Sequence, residues 1–164
     1  MKIEFDLGKI NPDSKKFDDQ LLREDIKNAI GIYATKLPEI YRGLDSDVLD
    51  NVTIHIVDAS NPDDYRQEAF TKKRKLDNSE FIIAISQFNG PTDIRELLAH
   101  ELCHIAQFLT GMIDDSVGND SVIWEGERFV LSSIPHQKRP WEKDAIKNQL
   151  KLYGTLPDIN RFQK

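Results

Sequence analysis

Apolar residues in the first quarter of the chain recur at the spacing of an amphipathic helix. From residue 17 onwards they follow one another every three or four positions, which places them on one side of a helix. Pro38 interrupts the hydrogen-bond ladder of a helix, so the pattern predicts a long N-terminal helix from about residue 17 to Leu37. The positions on this face are Phe17, Leu21, Leu22, Ile26, Ala29, Ile30, Tyr33 and Leu37.

Three other segments have the pattern of β-strands. Residues 52–57 (VTIHIV) alternate between the two faces of a strand, and residues 81–85 (FIIAI) form a short continuous apolar run. Alternation indicates a half-buried strand, whereas a continuous run indicates a strand that is buried on both faces. Residues 2–7 (KIEFDL) add a possible edge strand, so we expect a small β-sheet.

A second amphipathic helix is indicated in the middle of the chain. Thr92 or Asp93 can cap its start, and Gly111 can end it in the left-handed conformation. At about 100° per residue, His100 and His104 fall nearly opposite the apolar face. One face therefore packs and the other presents the histidines. The apolar face comprises Ile94, Leu98, Leu102, Ile105 and Leu109.

Two further elements are indicated after this helix. Residues 122–130 (VIWEGERFV) predict a tight hairpin whose tip, at Gly126, is solvated. Pro140 suits the first turn of a helix that continues to about Tyr153, with Gly154 as its stop. The apolar arc of this helix comprises Trp141, Ala145, Ile146, Leu150, Leu152 and Tyr153, and its polar side comprises Asp144, Lys147, Asn148 and Lys151.

These elements predict an α+β fold in which a small mixed sheet packs on helices. A chain of 164 residues with 39% hydrophobic content can bury one core, so we expect a single domain over 1–164. No segment has the pattern of a membrane span, and the first residues lack the apolar stretch of a signal peptide. The single cysteine, Cys103, cannot form an intrachain disulfide, which favours a cytoplasmic location.

The charge balance argues against nucleic acid as a partner. The net charge is −6, whereas affinity for phosphate needs a concentrated positive surface. One basic run is the exception, and a solvated loop or strand edge explains it better than a binding patch. This run comprises Lys72, Lys73, Arg74 and Lys75.

The motif that carries chemistry is His-Glu-Leu-Cys-His at residues 100–104. On a helix, His100 and His104 share one face and can hold a single Zn²⁺ ion, while Glu101 can direct its carboxylate towards a water on that ion. Cys103 points about 60° to 80° away from the histidines and fits a packing role. The motif predicts a zinc hydrolase with Glu101 as the catalytic base.

A catalytic zinc usually takes three protein ligands, so a further side chain must complete the site. Glu142 is the best candidate because it lies within the apolar arc of its helix, where a carboxylate is costly unless it is paired or bound to metal. The alternative explanation is a first-turn acid that the helix dipole stabilises. Asp144, on the polar side, and Glu125 and Glu127, in the hairpin, remain alternative ligands.

Several segments together resemble a known family. They are HELCH at 100–104, WEG at 124–126 and RPWEKDA at 139–145, with Gln149 after them. The combination is similar to small metallopeptidases found in bacteriophage and bacterial genomes, on the gluzincin side of the zincins. The similarity covers roughly residues 92–153.

The resemblance implies a minimal zincin-like fold, with the small mixed sheet packed on the active-site helix between a long N-terminal helix and a C-terminal ligand helix. In related gluzincins the third ligand is the glutamate of a Glu-x-x-Ala helix, which implies Glu142 followed by Ala145. The chain has Asp144 where the family's usual ending, Pro-Trp-Glu-x-Glu-Ala, has a second glutamate. A phage origin would place the protein in the host cytoplasm.

The expected function is zinc-dependent hydrolysis of peptide bonds. Glu101 would take a proton from the attacking water and pass it to the leaving amine, and His55, His136 or Tyr153 could stabilise the oxyanion. The partner would be an extended peptide along a sheet edge or one dedicated protein. The alternative is a non-catalytic zinc-binding interaction or regulatory module, which the presence of Glu101 disfavours.

Overall fold

The computed structural model of the protein describes residues 1–6, 20–59, 68–85 and 93–157. Within these ranges the chain forms a mixed α+β structure with four α-helices and two small β-sheets. The expected α+β class is therefore confirmed. The predicted helix start near residue 17, the last residue of the predicted first strand and the candidate cap Thr92 lie outside the described residues.

The first sheet contains the three predicted strands and one more. Strands β1 (Lys2–Asp6), β2 (Thr53–Asp58) and β4 (Glu80–Ile85) run parallel, and strand β3 (Ala69–Lys73) is antiparallel to β4. The order across the sheet is β1-β2-β4-β3. β1 is an edge strand, as expected, and β3 forms the opposite edge. The two central strands are nearly fully buried, which explains their apolar sequences.

The N-terminal helix α1 (Gln20–Ile40) runs past the predicted end at Leu37 and includes Pro38 in its last turn. Proline removes one backbone donor, but the N–H of Tyr41 still donates to the carbonyl of Leu37 at 2.8 Å. The final turn therefore survives. A short helix, α2 (Ser46–Asp50), follows.

Helix α3 (Ile94–Leu109) carries the histidine motif through the centre of the molecule. Asp93 caps its start by accepting a hydrogen bond from the N–H of Arg95, and Gly111 follows its end with φ +73°, as predicted for both ends. Its apolar face joins the main core with α1 and the first sheet. Fully buried members of this core include Ile26, Ile30, Ile54, Ile56, Ile83, Leu98, Leu102 and Ile105.

The second sheet and the last helix confirm the predicted hairpin and the predicted C-terminal helix. Strands β5 (Ile113–Asp114), β6 (Ser121–Trp124) and β7 (Glu127–Val130) are antiparallel in that order. Glu125 and Gly126 turn the hairpin, both with positive φ, and helix α4 (Pro140–Tyr153) ends at Gly154. A small apolar cluster of Ile113, Val122, Trp124 and Trp141 joins this sheet to α4.

The buried face of α4 differs from the predicted apolar arc. Ile146 and Leu150 are 47% and 60% exposed, whereas Asn148 is buried and Asp144 is half-buried. These two polar side chains can face the interior because they bond to each other and to Tyr41. A helical wheel based only on hydrophobicity takes no account of such hydrogen bonds.

The predicted basic run lies at the edge of the first sheet and in the turn that follows β3, as expected for a strand edge. Lys73 binds Asp115 at 2.6 Å, and Lys75 pairs with Glu80. Acidic neighbours therefore neutralise part of its charge. No helix in the described ranges has the length and apolar character that crossing a membrane requires.

Candidate metal centre and cleft

The structure brings His100, His104 and Glu142 together between α3 and α4. One ligand atom from each lies within 4.8 Å of the others, so the three side chains form a group that could hold a metal ion. The two Nε2 atoms are 3.1 Å apart. Glu142 places Oε2 3.2 Å from Nε2 of His100 and Oε1 3.4 Å from Nε2 of His104. One possible ligand atom of each side chain therefore faces the same small volume.

The local folding of α3 and α4 explains this convergence. His100 and His104 are one turn apart on α3, which places both rings on one side of it. Glu142 lies in the first turn of α4, directly after Trp141, which anchors the helix in the small apolar cluster. Packing of α4 against α3 brings the first turn of α4 next to the two histidines.

Glu142 and His104 shift each other's pKa values. Burial on its own would raise the pKa of Glu142, but hydrogen bonds with His100 and His104 outweigh burial and hold this pKa well below its usual range. Burial would likewise lower the pKa of His104, but the hydrogen bond with Glu142 and the charges of Glu101 and Glu142 raise this pKa to about 9. The site therefore favours a positive charge beside the carboxylate, which a proton or a metal ion can supply.

Glu101 is buried at 3% exposure and lies beside the histidines without belonging to the group. Its Oε2 accepts a hydrogen bond of 2.5 Å from the hydroxyl of Thr71, on strand β3. The hydroxyl also lies 3.3 Å from the backbone carbonyl of Glu101. The edge strand of the sheet thus fixes the carboxylate that the sequence assigns to proton transfer.

These residues open into a cleft of about 590 Å³. His100, Glu101, His104 and Glu142 line it together. Strand β3 lines one part of the cleft, and an apolar wall comes from α3, the second sheet, the turn after it and α4. Residues on that apolar wall are Phe108, Ile113, Val122, Leu131 and Trp141. The cleft is large enough for a chain segment with side chains.

The three alternative candidates for the third metal ligand lie outside the group of His100, His104 and Glu142. Glu125 and Glu127 are exposed in the hairpin, as predicted for its tip. Asp144 accepts hydrogen bonds from Gln107 at 2.7 Å and from Tyr41 at 2.9 Å, on the side of Gln107 away from the metal group. The structure therefore groups Glu142, and none of the three rivals, with the histidines.

Of the three candidate oxyanion donors, the structure places His136 nearest to the group. Its Nε2 is 3.2 Å from Oε1 of Glu142, and its side chain is 44% exposed at the rim of the cleft. His55 instead contacts Glu4 and Glu80 on the first sheet, and Tyr153 donates to Asp93 at the start of α3.

Three side chains that contact the site were not among the predicted site residues. Thr71 contacts Glu101, Gln107 contacts His104, and Gln149 contacts His100. Gln149 was noted as part of the family resemblance, without a role. Nothing in the local sequence identifies Thr71 or Gln107, because their contacts depend on the tertiary structure.

Comparison of the chain with protein-family models, with curated proteins and with solved structures gave no match. The resemblance of residues 92–153 to small metallopeptidases therefore stays a prediction. Any assignment of function rests on the residues of the cleft and on their chemistry.

Proposed function

We propose that the protein is a zinc-dependent peptidase with a minimal zincin-like fold. The observation that carries this proposal is the convergence of two imidazole Nε2 atoms and the buried carboxylate of Glu142, with Glu101 in the same cleft. A buried carboxylate facing two imidazoles is the arrangement expected where a cation has to be held.

The side chains present fit zinc. Two imidazoles and one carboxylate are a ligand set of catalytic zinc sites, which keep a fourth position open for water or substrate. His100, His104 and Glu142 would hold the ion. Bound there, zinc would supply Lewis acidity that lowers the pKa of a water towards ~7 and polarises a peptide carbonyl.

Glu101 would act as the general base and then as the general acid. Its carboxylate, buried beside the histidines, would accept a proton from the attacking water and deliver it to the leaving amine. The hydrogen bond from Thr71 occupies Oε2 and leaves Oε1 for this exchange. Thr71 would therefore orient the base.

The shape of the cleft favours an extended peptide as substrate. Strand β3 pairs with β4 on one side, and no described strand pairs with its other edge. A peptide added along that edge would lie in the cleft that Glu101 and the apolar wall also line. The buried thiol of Cys103 has no described disulfide partner, which is consistent with action in the cytoplasm.

The first prediction concerns the metal. Purified protein should contain about one zinc per chain, because the three candidate ligands form one site. A chelator should stop cleavage of a mixed, unstructured peptide library, and added zinc should restore it. Metal analysis and mass spectrometry of the library measure both effects.

A protein that lacks zinc after purification and fails to bind it on titration would contradict the metal assignment. Stoichiometric zinc without cleavage of any library member or denatured protein would instead favour the non-catalytic binding module. His100→Ala should abolish stoichiometric zinc binding, and His55→Ala, on the first sheet away from the cleft, is its matched control.

The second prediction concerns Thr71. Replacement by valine keeps the branched shape but removes the donor to Glu101, so kcat should fall roughly 10- to 100-fold, since a hydrogen bond to a charged group contributes ~1.5–3 kcal/mol. KM and zinc content should stay close to those of the unmodified protein. Thr71→Ser should restore most of kcat because it restores the hydroxyl. Equal kcat values for the valine and serine variants would remove Thr71 from the mechanism.

A further inference from the structure

Each candidate metal-binding histidine contacts a glutamine with the ring nitrogen that faces away from Glu142. Nδ1 of His104 is 2.9 Å from Oε1 of Gln107, and Nδ1 of His100 is 2.6 Å from Oε1 of Gln149. Gln107 is fully buried and Gln149 is half-buried. Both histidines are therefore held on two sides.

The surroundings of Gln107 determine which way its amide points. Its Nε2 lies 2.9 Å from the carbonyl oxygen of Trp141 and 2.7 Å from Oδ2 of Asp144. Both are acceptors, so the NH₂ group must face them and Oε1 must face His104. Because that oxygen can only accept, the proton of the bond lies on Nδ1 of His104.

The same reasoning applies to Gln149. Its Nε2 donates to Oε1 of Glu96 at 3.2 Å, and an ionised carboxylate can only accept. Oε1 of Gln149 therefore faces His100, and Nδ1 of His100 carries the proton. In the neutral form of both rings this leaves Nε2, the atom that faces Glu142, as the nitrogen with a lone pair for a metal.

The orientation of Gln107 is itself held by a buried network that joins three helices. Asp144 on α4 accepts from the hydroxyl of Tyr41, just after α1, at 2.9 Å and from the amide of Asn148 at 3.1 Å. These donors fix the carboxylate that Gln107 on α3 binds. The two residues that the predicted arc placed on a solvent-facing side, Asp144 and Asn148, thereby take part in orienting His104.

We infer that Gln107 and Gln149 are positioning residues, which hold His104 and His100 with Nδ1 protonated and Nε2 directed at Glu142, and that Asp144 fixes the amide of Gln107. This inference depends on the proposed function only for the identity of the metal ion. Both acceptors are neutral amides, so they orient the rings without adding a negative charge behind them. Glu142 remains the one carboxylate in the three-residue group.

The test replaces each glutamine with methionine, which has a similar length but offers no comparable acceptor. In ¹⁵N-labelled full-length protein, the Nδ1 proton of each histidine reports its own hydrogen bond through its exchange with water. Gln107→Met should speed exchange at His104 at least 10-fold and leave His100 unchanged. Gln149→Met should do the reverse. Each variant should bind zinc about 10-fold more weakly, as for other partners of metal-bound histidines.

A rescue variant tests the direction of the bonds. Combining Gln149→Glu with Glu96→Gln exchanges the amide and the carboxylate, keeps the net charge and still offers His100 an acceptor. This double variant should restore slow exchange at His100, which Gln149→Met alone should not. If Gln107→Met fails to fold because its site is fully buried, the half-buried Gln149 pair still decides the question.

Unchanged exchange at His100 in Gln149→Met would overturn the inference. Faster exchange at both histidines in either variant would also overturn it, since that pattern indicates a general loosening of the fold. The Nδ1 protons can be followed without metal, so a protein that binds no zinc would contradict the proposed function while the exchange data still decide the role of the glutamines.

Discussion

Glu101→Gln should retain zinc and lose roughly 10²- to 10⁴-fold in kcat, the usual contribution of a positioned general base. The amide keeps the size of the side chain, so the burial beside the histidines and the packing of α3 should persist. Thr71 can still donate to the remaining oxygen. What is lost is the ability to accept a proton from water. Steady-state kinetics on a library-derived peptide, with metal analysis of the same sample, measures the effect.

Glu127→Gln is the matched control, because it makes the same chemical change at an exposed position in the hairpin. Its kcat and zinc content should equal those of the unmodified protein. Loss of zinc from Glu101→Gln would make Glu101 a ligand. Full activity in Glu101→Gln would remove it from catalysis altogether.

The sequence predicted most of the framework because local signals determine it. Asp93 and Gly111 are a cap and a stop that act within one turn of α3, and Pro140 and Gly154 do the same for α4. Such signals do not depend on the rest of the fold. Local signals therefore suffice to place the histidine pair and Glu142 on helices.

Strand β3 was missed for a physical reason. Its sequence, AFTKK, has neither a continuous apolar run nor alternation between apolar and polar residues. Strand β3 pairs with a neighbour, β4, along one edge and packs against α3. As an edge strand it needs few large apolar side chains. Because Thr71 lies on β3, the contact of Thr71 with Glu101 was missed with it.

The apolar arc of α4 was wrong in part, yet it identified Glu142 correctly as an acid that faces the interior. Ile146 and Leu150 are exposed, whereas Asn148 is buried. Burial of the Asn148 amide is possible because it forms hydrogen bonds with Tyr41 and Asp144. A hydrophobicity scale ranks each side chain by the free energy of burying it without a partner. It contains no information about partners that come from residues more than 100 positions away.

Asp144 stands where the metallopeptidases that the sequence resembles have a second glutamate. Asp144 is one methylene shorter than the glutamate expected there, and its carboxylate reaches Gln107, Tyr41 and Asn148. It holds the amide that contacts His104 and makes no contact with the metal group itself. Its effect on the metal should therefore be indirect.

Variants of Glu142 and Asp144 should distinguish a candidate metal ligand from a residue that orients one. Glu142→Ala should weaken zinc affinity by roughly 100-fold or more, because it removes one of three ligand groups and leaves two neutral imidazoles. Asp144→Ala should weaken it by about 10-fold at most, through the loosened amide of Gln107. Competition with a zinc-binding dye measures both affinities.

Thermal unfolding of the metal-free protein should show a loss of stability in Asp144→Ala. Asp144→Ala leaves the donors of Tyr41, Gln107 and Asn148 without their shared acceptor, at a cost of ~1–3 kcal/mol for each buried group that finds no other partner. Glu142→Ala should also lower stability at neutral pH, because hydrogen bonds with His100 and His104 hold the pKa of this carboxyl below its usual range and so favour the folded state. Stronger zinc loss in Asp144→Ala than in Glu142→Ala would reverse the assignment of the third ligand and leave the histidine pair intact.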